Sequence, residues 1–188
     1  MNGDILKQMR IMLSMAMVAL LCGCESISNR CAIMGDYESS YEESFHDGIE
    51  CKVRWDFVEE FNLFTVDGKA KMYMTFMFDE QFEFKNLTLE YDVMLSGKWS
   101  YDGDRLEVLA DTTTFKYEYV KSDATRYTEE AMARYLRKHV KDDFIPSMRK
   151  KFIALSDRSI KVKAVTDSCV VAVDPRDESE VKMFKKTK

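Results

Sequence analysis

The sequence predicts a mainly β protein: an antiparallel barrel of about eight strands with one amphipathic helix inserted and packed against it. Three observations carry that reading. Apolar and polar residues alternate with a period of two over about eight separate stretches, so each strand has one dry face and one wet face. Parallel strands covered on both sides read as unbroken apolar runs, and these do not. One stretch, residues 128–152, changes to a period of four, the spacing of a helix with one apolar side.

The ordered domain is expected over residues 49–188. Its first strand starts near Ile49, with Cys51, Val53, Trp55 and Phe57 on one face and Lys52, Arg54 and Asp56 on the other. Val66-Asp67-Gly68-Lys69 reads as a turn, because Asp-Gly favours positive φ. Ala70, Met72, Met74, Phe76 and Phe78 resume the alternation, and Phe82 and Phe84 continue it. Leu87, Leu89, Tyr91, Val93 and Leu95 form the next strand, and Asp102-Gly103-Asp104 turns it back into Leu106 and Val108. Phe115, Tyr117 and Tyr119, then Ile160, Val162 and Ala164, then Val170–Val173, then Val181 and Met183 complete the set. The inward residues are bulky: Trp55, Phe57, Phe76, Phe78, Phe82, Phe84, Phe115, Tyr117 and Tyr119. That bulk favours a packed interior, or a shallow pocket at one mouth.

Thr128-Glu129-Glu130 has the chemistry of a helix start, a capping hydroxyl followed by first-turn acids. Met132, Leu136, Val140, Phe144, Met148 and Phe152 then recur every fourth residue, flanked by Arg and Lys. Pro146 lacks an amide proton and clashes with the preceding turn, so a kink is expected there, or two helices meeting near Phe144-Ile145. The stripe should cover one end or one side of the barrel.

The N-terminus carries an address. Lys7 and Arg10 precede an apolar run from Ile11 to Leu21, interrupted only by Ser14. That run has the length of a signal-peptide core and is well short of the ~20 residues of a membrane-spanning helix. Leu21-Cys22-Gly23-Cys24 follows, and it resembles the lipobox of bacterial lipoproteins. The rival frame ending at Cys22 places Leu21 where a small residue is required. The resemblance implies that residues 1–23 are a cleaved signal peptide and that Cys24 is the lipid attachment site. Residues 24–48 are then expected to be a lipidated N-terminus and polar tether. Within them Tyr37, Tyr41 and Phe45 recur every four residues, as in a short helix, with disorder the alternative. The expected location is the bacterial cell envelope, on the inner or outer membrane.

Of 188 residues with net charge −5, cleavage leaves 165 with net charge −6, because Lys7, Arg10 and Asp4 depart together. One domain of that size can bury a proper core. Its acidity argues against nucleic acid and against electrostatic adhesion to anionic lipid. With Cys24 lipidated, Cys31, Cys51 and Cys169 remain, enough for one disulfide of unspecified pairing.

Gly97-Lys98-Trp99-Ser100-Tyr101-Asp102-Gly103-Asp104-Arg105-Leu106-Glu107-Val108 resembles the middle hairpin of small lipocalin-like domains in cell-envelope lipoproteins of the Bacteroides group. Gly97, Trp99, Gly103, Asp104, Leu106 and Val108 take the matching places. Leu155-Ser156-Asp157-Arg158-Ser159-Ile160 and the closing Met183-Phe184-Lys185 are similar to the ending of such domains. The resemblance spans residues 49–185 and implies a lipocalin-like barrel; it lends fold more than function.

Motifs for chemistry are few. His46 and His139 are the only histidines and share no metal-ligand spacing with each other or with cysteine. No nucleophile elbow and no glycine-rich phosphate loop occurs. Asp102, Asp104 and Glu107 read as a turn and a solvent face; Asp174, Asp177, Glu178 and Glu180 read as an acidic turn in preference to a weak calcium site. No catalytic residue, metal or cofactor is assigned. The expected function is a non-enzymatic envelope lipoprotein, anchored in the membrane by lipid and binding a small apolar ligand. The alternative is a structural or assembly protein that contacts other envelope proteins.

Overall fold

The computed structural model describes residues 27–47, 49–176 and 178–186. A short helix, α1 (residues 27–33), leads into nine strands. These are β1 (Gly35–Asp47), β2 (Ile49–Phe61), β3 (Thr65–Met77), β4 (Asn86–Tyr101), β5 (Arg105–Ala110), β6 (Lys116–Ser122), β7 (Arg158–Val165), β8 (Cys169–Val173) and β9 (Glu180–Lys185). Between β6 and β7 lie α2 (Tyr127–His139), a π-turn (Val140–Phe144) and α3 (Ile145–Ser156).

Eight strands close an antiparallel barrel in the order β3-β2-β1-β9-β8-β7-β5-β4, with β4 returning to β3. Apart from one excursion this is an up-and-down meander. The excursion is β6 with the helices, inserted between the neighbours β5 and β7. Eight strands are expected from the sequence and eight close the barrel, but the sets differ. Here β6 is a ninth strand hung on the upper half of β4, and β1 takes its place in the ring.

The tether expected over residues 24–48 is therefore corrected: from Gly35 to Asp47 the chain is a barrel strand paired with β2 along its whole length. A period of four is also twice a period of two, so Tyr37, Tyr41 and Phe45 share one face of a strand as readily as one face of a helix. The turn moves as well. The β2–β3 reversal lies at residues 62–64, and Asp67 and Gly68 sit inside β3. At Gly68 a Cβ would make a tight 3.1 Å approach to the Leu95 carbonyl oxygen of β4. Phe78, Phe82 and Phe84 do not extend a strand; they pack on one another at tilted and edge-to-face angles in the β3–β4 connection.

The long helix is interrupted as its proline requires. Pro146 stands in the first turn of α3, and the π-turn before it carries the chain across, with the Ile145 amide bonded to the Val140 carbonyl. At the other end the cap differs in detail from the expectation. Arg126 is the N-cap, and Glu129 accepts hydrogen bonds from the Thr125 and Arg126 amides at 2.7 and 3.0 Å.

The interior has two cores. In the lower, closed half, Ile33, Tyr37, Phe61, Val66, Trp99, Leu106, Ile160, Val170 and Met183 meet inside the complete ring. In the upper half the wall opens: β1 separates from β9, and β6 stands in place of β5. There Ala133, Leu136, Val140, Phe144, Met148 and Phe152 of the helical segment fill the concave face of β2, β3, β4 and β6. Gly97 marks the junction. Below it β4 pairs with β5, above it with β6, and a Cβ on Gly97 would lie 2.6 Å from the Leu109 carbonyl oxygen. Two residues on, the Trp99 indole N–H donates to the carbonyls of Asn62 and Thr65 at 2.7 and 3.1 Å, closing the floor of the barrel. The Gly-x-Trp hairpin thus has a structural account.

Candidate contact site at the strand fork

The barrel wall parts at the fork between β1 and β9, and in the upper half the outer edge of β6 is likewise unpaired among the described residues. These strands pair only at Tyr37↔Lys185 and Glu38↔Phe184. Beyond that point no strand among the described residues pairs with the outer edge of β1 from Ser39 to Asp47. The direction of its backbone groups follows from one bond. The Asp36 carbonyl accepts the Lys186 amide at 2.7 Å, so Asp36 aims its polar groups outward. Polar groups alternate sides along a strand. Ser40, Glu42 and Ser44 therefore point their amides and carbonyls into the fork, while the odd residues serve β2.

Beside this edge lies a cleft of about 190 Å³ lined by Tyr37, Tyr41, Phe57, Leu155, Val181 and Met183, with Ser39 at its rim. Tyr41 is 43% exposed, although its strand neighbour on the same face, Tyr37, is buried. The floor is a paired charge. Arg158 Nη1 and Nη2 each donate to a Glu59 carboxylate oxygen at 2.7 Å, a two-pronged contact between side chains that are 12% and 15% exposed. Higher up, Lys151 of α3 pairs with Glu43 of β1 and lies over the Phe45 ring. The second Glu43 oxygen is buried without a hydrogen-bond partner. Two carboxylates on the inner faces of β1 and β2 thus form latches: Glu43 to Lys151 of α3, and Glu59 to Arg158 at the start of β7. Burial within the same region raises the Tyr37 hydroxyl well above the usual tyrosine range.

Neither Glu43 nor Glu59 was singled out by the sequence reading, though a signal existed. Each occupies an inward position between aromatics, Glu43 between Tyr41 and Phe45 and Glu59 between Phe57 and Phe61. A carboxylate in an apolar row needs a partner.

The other candidates fall elsewhere. Cys24 and the expected leader over residues 1–23 lie outside the described residues. Cys31, Cys51 and Cys169, which suffice in number for one disulfide, are free thiols. Cys51 is enclosed in the upper core, where burial pushes its thiol up to about 12. His139 Nδ1 pairs with Asp143 at 2.6 Å on the helix, remote in role from the fork. The Asp102 carboxylate accepts the Asp104 and Arg105 amides and so shapes its hairpin. Asp174 is engaged by the amide and guanidinium of Arg176, which hold its carboxyl down to about 2. Among the described residues no group of three His, Cys, Asp or Glu side chains is placed to hold a metal. No described helix is long and apolar enough to cross a membrane.

No protein-family model matches the chain, and the curated proteins contain no significant match. Fold and site together describe a side-chain-filled antiparallel barrel whose upper half leaves the outer edges of β1 and β6 unpaired among the described residues, with an apolar cleft beside the β1 edge.

Proposed function

We propose that this is a non-enzymatic lipoprotein of the bacterial envelope, held to the membrane through Cys24, which captures an extended segment of another envelope protein at the β1 edge. The observation that carries this reading is the unpaired edge from Ser39 to Asp47 beside the cleft. An added strand takes its main-chain hydrogen bonds from the edge and lodges one alternate side chain in a neighbouring pocket. Here Ser40, Glu42 and Ser44 supply the main-chain groups, and the wall of Tyr41, Phe57, Leu155 and Met183 receives an apolar side chain. Uncommitted edges of this length are normally covered or blunted, which makes an open one a place for a partner.

The packed barrel favours this over a ligand held inside, because both halves of the interior are occupied by side chains. A small apolar ligand remains the second reading, supported by the lining of the cleft, whose volume falls below the ~300 Å³ at which drug-sized pockets begin.

The test uses the full chain in its native host, with a photocrosslinking residue at Tyr41. Ser40→Pro and Glu42→Pro each remove an edge-facing amide while sparing the bonds to β2, a tolerated place for proline. The expected result is a crosslinked envelope protein that disappears in both proline variants while the fold persists. Crosslinks indifferent to proline, or none at all, contradict the reading. Radiolabelled palmitate tests the anchor: it should enter the parent and not Cys24→Ala.

A further inference from the structure

The anchor and the closed half of the barrel stand close in sequence. Ile27, where the described chain begins, is the third residue after Cys24, and fully extended chain over that interval reaches about 10 Å. The helix α1 that follows is fixed to the closed end. Ile33 is fully buried in the lower core, the Tyr37 hydroxyl donates to the Ile33 carbonyl at 2.5 Å, and the Lys185 ammonium donates to the Ala32 carbonyl at 3.3 Å. Resting on the lipid attachment proposed above, this geometry leaves the closed end no room to stand far from the bilayer.

That end also presents two large apolar side chains to solvent. Ile27 is 52% exposed, and Phe64, at the β2–β3 reversal, is 61% exposed. Arg30 joins them into one surface. It lies one turn from Ile27 on the same helix side. Its guanidinium sits 5.2 Å above the Phe64 ring and 5.6 Å from Trp99, and it donates to the Leu63 carbonyl at 3.0 Å. Isolated exposed apolar residues are ordinary. An isoleucine and a phenylalanine flanking an arginine at the anchored end make the pattern of a surface that rests in the headgroup region, apolar groups down and cation among phosphates.

We propose that the closed end of the barrel seats on the bilayer, with Ile27 and Phe64 entering the boundary between headgroups and acyl chains, so that the fork faces away from the membrane. The seat explains why a tether is unnecessary: the barrel is oriented by a short leash and two apolar contacts. The acids at this end include Asp36 and Glu60, opposite one another on β1 and β2, and Asp102 and Asp104 of the hairpin turn beside α1, where Gly103 adjoins Asn29 and Asp102 accepts two amides.

The test uses the lipidated protein in vesicles of phosphatidylethanolamine and phosphatidylglycerol containing a doxyl-labelled phospholipid. Cys31, exposed on α1, carries a bimane fluorophore in a Cys169→Ser background; Cys51 is buried. A control places the fluorophore by Glu83→Cys, together with Cys31→Ser, in the exposed upper connection. Quenching at Cys31 should exceed that at the control several-fold, and Ile27→Ser with Phe64→Ser should remove most of the difference while acylation is retained. Equal quenching at the two positions in acylated protein overturns the seat and leaves the anchor standing. Failure of palmitate to incorporate removes the anchor, and the seat with it.

Discussion

The two halves of the barrel solve the same problem in different ways. The closed half has no free edge: eight strands satisfy one another around a ring, and Trp99 fills the floor. The open half gives up the ring between β1 and β6 and substitutes a helical segment, whose Leu136, Phe144, Met148 and Phe152 supply the packing that missing strands would otherwise provide. A helix can fill a concave sheet with apolar side chains, but it cannot satisfy a strand's outer backbone groups. The outer edges of β1 and β6 are thus left open among the described residues. The closed half satisfies its strand edges by pairing, and the helix-filled half leaves edges free, which is where the proposed partner would add.

The largest expected effects separate the halves. Trp99→Ala and Phe152→Ala should each cost about 3–5 kcal/mol, the range for truncating a buried aromatic. Their consequences differ. Loss of Trp99 removes the floor that ties β2, β3 and β4, so urea unfolding should shift as one cooperative transition. Loss of Phe152, which contacts Trp55, Phe57 and Phe115, should loosen the helical segment while the ring persists. Thiol labelling reads this out, because Cys51 should resist alkylation in the parent and become reactive in Phe152→Ala, with Cys31 reactive in both.

Next comes the latch. Glu59→Gln or Arg158→Met alone should destabilise by roughly 2–4 kcal/mol, since each strands a largely buried charge, and the double variant should recover part of the loss. Thermal unfolding of the four proteins gives the coupling. Gly97→Val should follow at about 2–3 kcal/mol, because its side chain meets the Leu109 carbonyl where β4 exchanges one neighbour for another. Arg137→Ala should be milder, about 0.5–1 kcal/mol, losing a guanidinium 3.8 Å above the Tyr119 ring where α2 covers β6. The smallest is a pH effect. The Asp174 carboxyl is held down to about 2 chiefly by Arg176, and that of Asp102 is lowered chiefly by the Arg105 amide. A folded value below the unfolded 3.8 means stability complete above that pH and lost as pH falls through the folded value. Asp174→Asn should accordingly flatten the decline in melting temperature from pH 4 toward pH 2.

Where the inward residues are apolar, the sequence was easily read: the Cys51–Phe57 part of β2, the Leu87–Leu95 part of β4 and the Ile160–Ala164 part of β7 lie where alternation places them, and β8 lies on its short apolar run. Legibility failed at the site. The inward row of β1 contains Ser39 and Glu43 among its aromatics, one at the rim of the cleft and the other latching α3. Those polar residues hid the period of two and left only a period of four in view. The excursion of β6 was unreadable for a different reason: Tyr117 and Tyr119 alternate just as a ring strand does, and only tertiary pairing with the upper half of β4 removes it from the ring. Pro146 announced a break in the helix, but a π-turn as the means of crossing it depends on the packing of Val140 and Phe144 against the upper core.

Hydrogen exchange on the parent and on Phe152→Ala tests the division most directly. In the parent, both β7–β9 and the helical segment should be protected. In the variant, amides of residues 127–156 and of β6 should exchange much faster while those of β7, β8 and β9 keep their protection. Equal acceleration across both groups would mean that the ring and the helix-filled half are one cooperative unit, and would contradict the account.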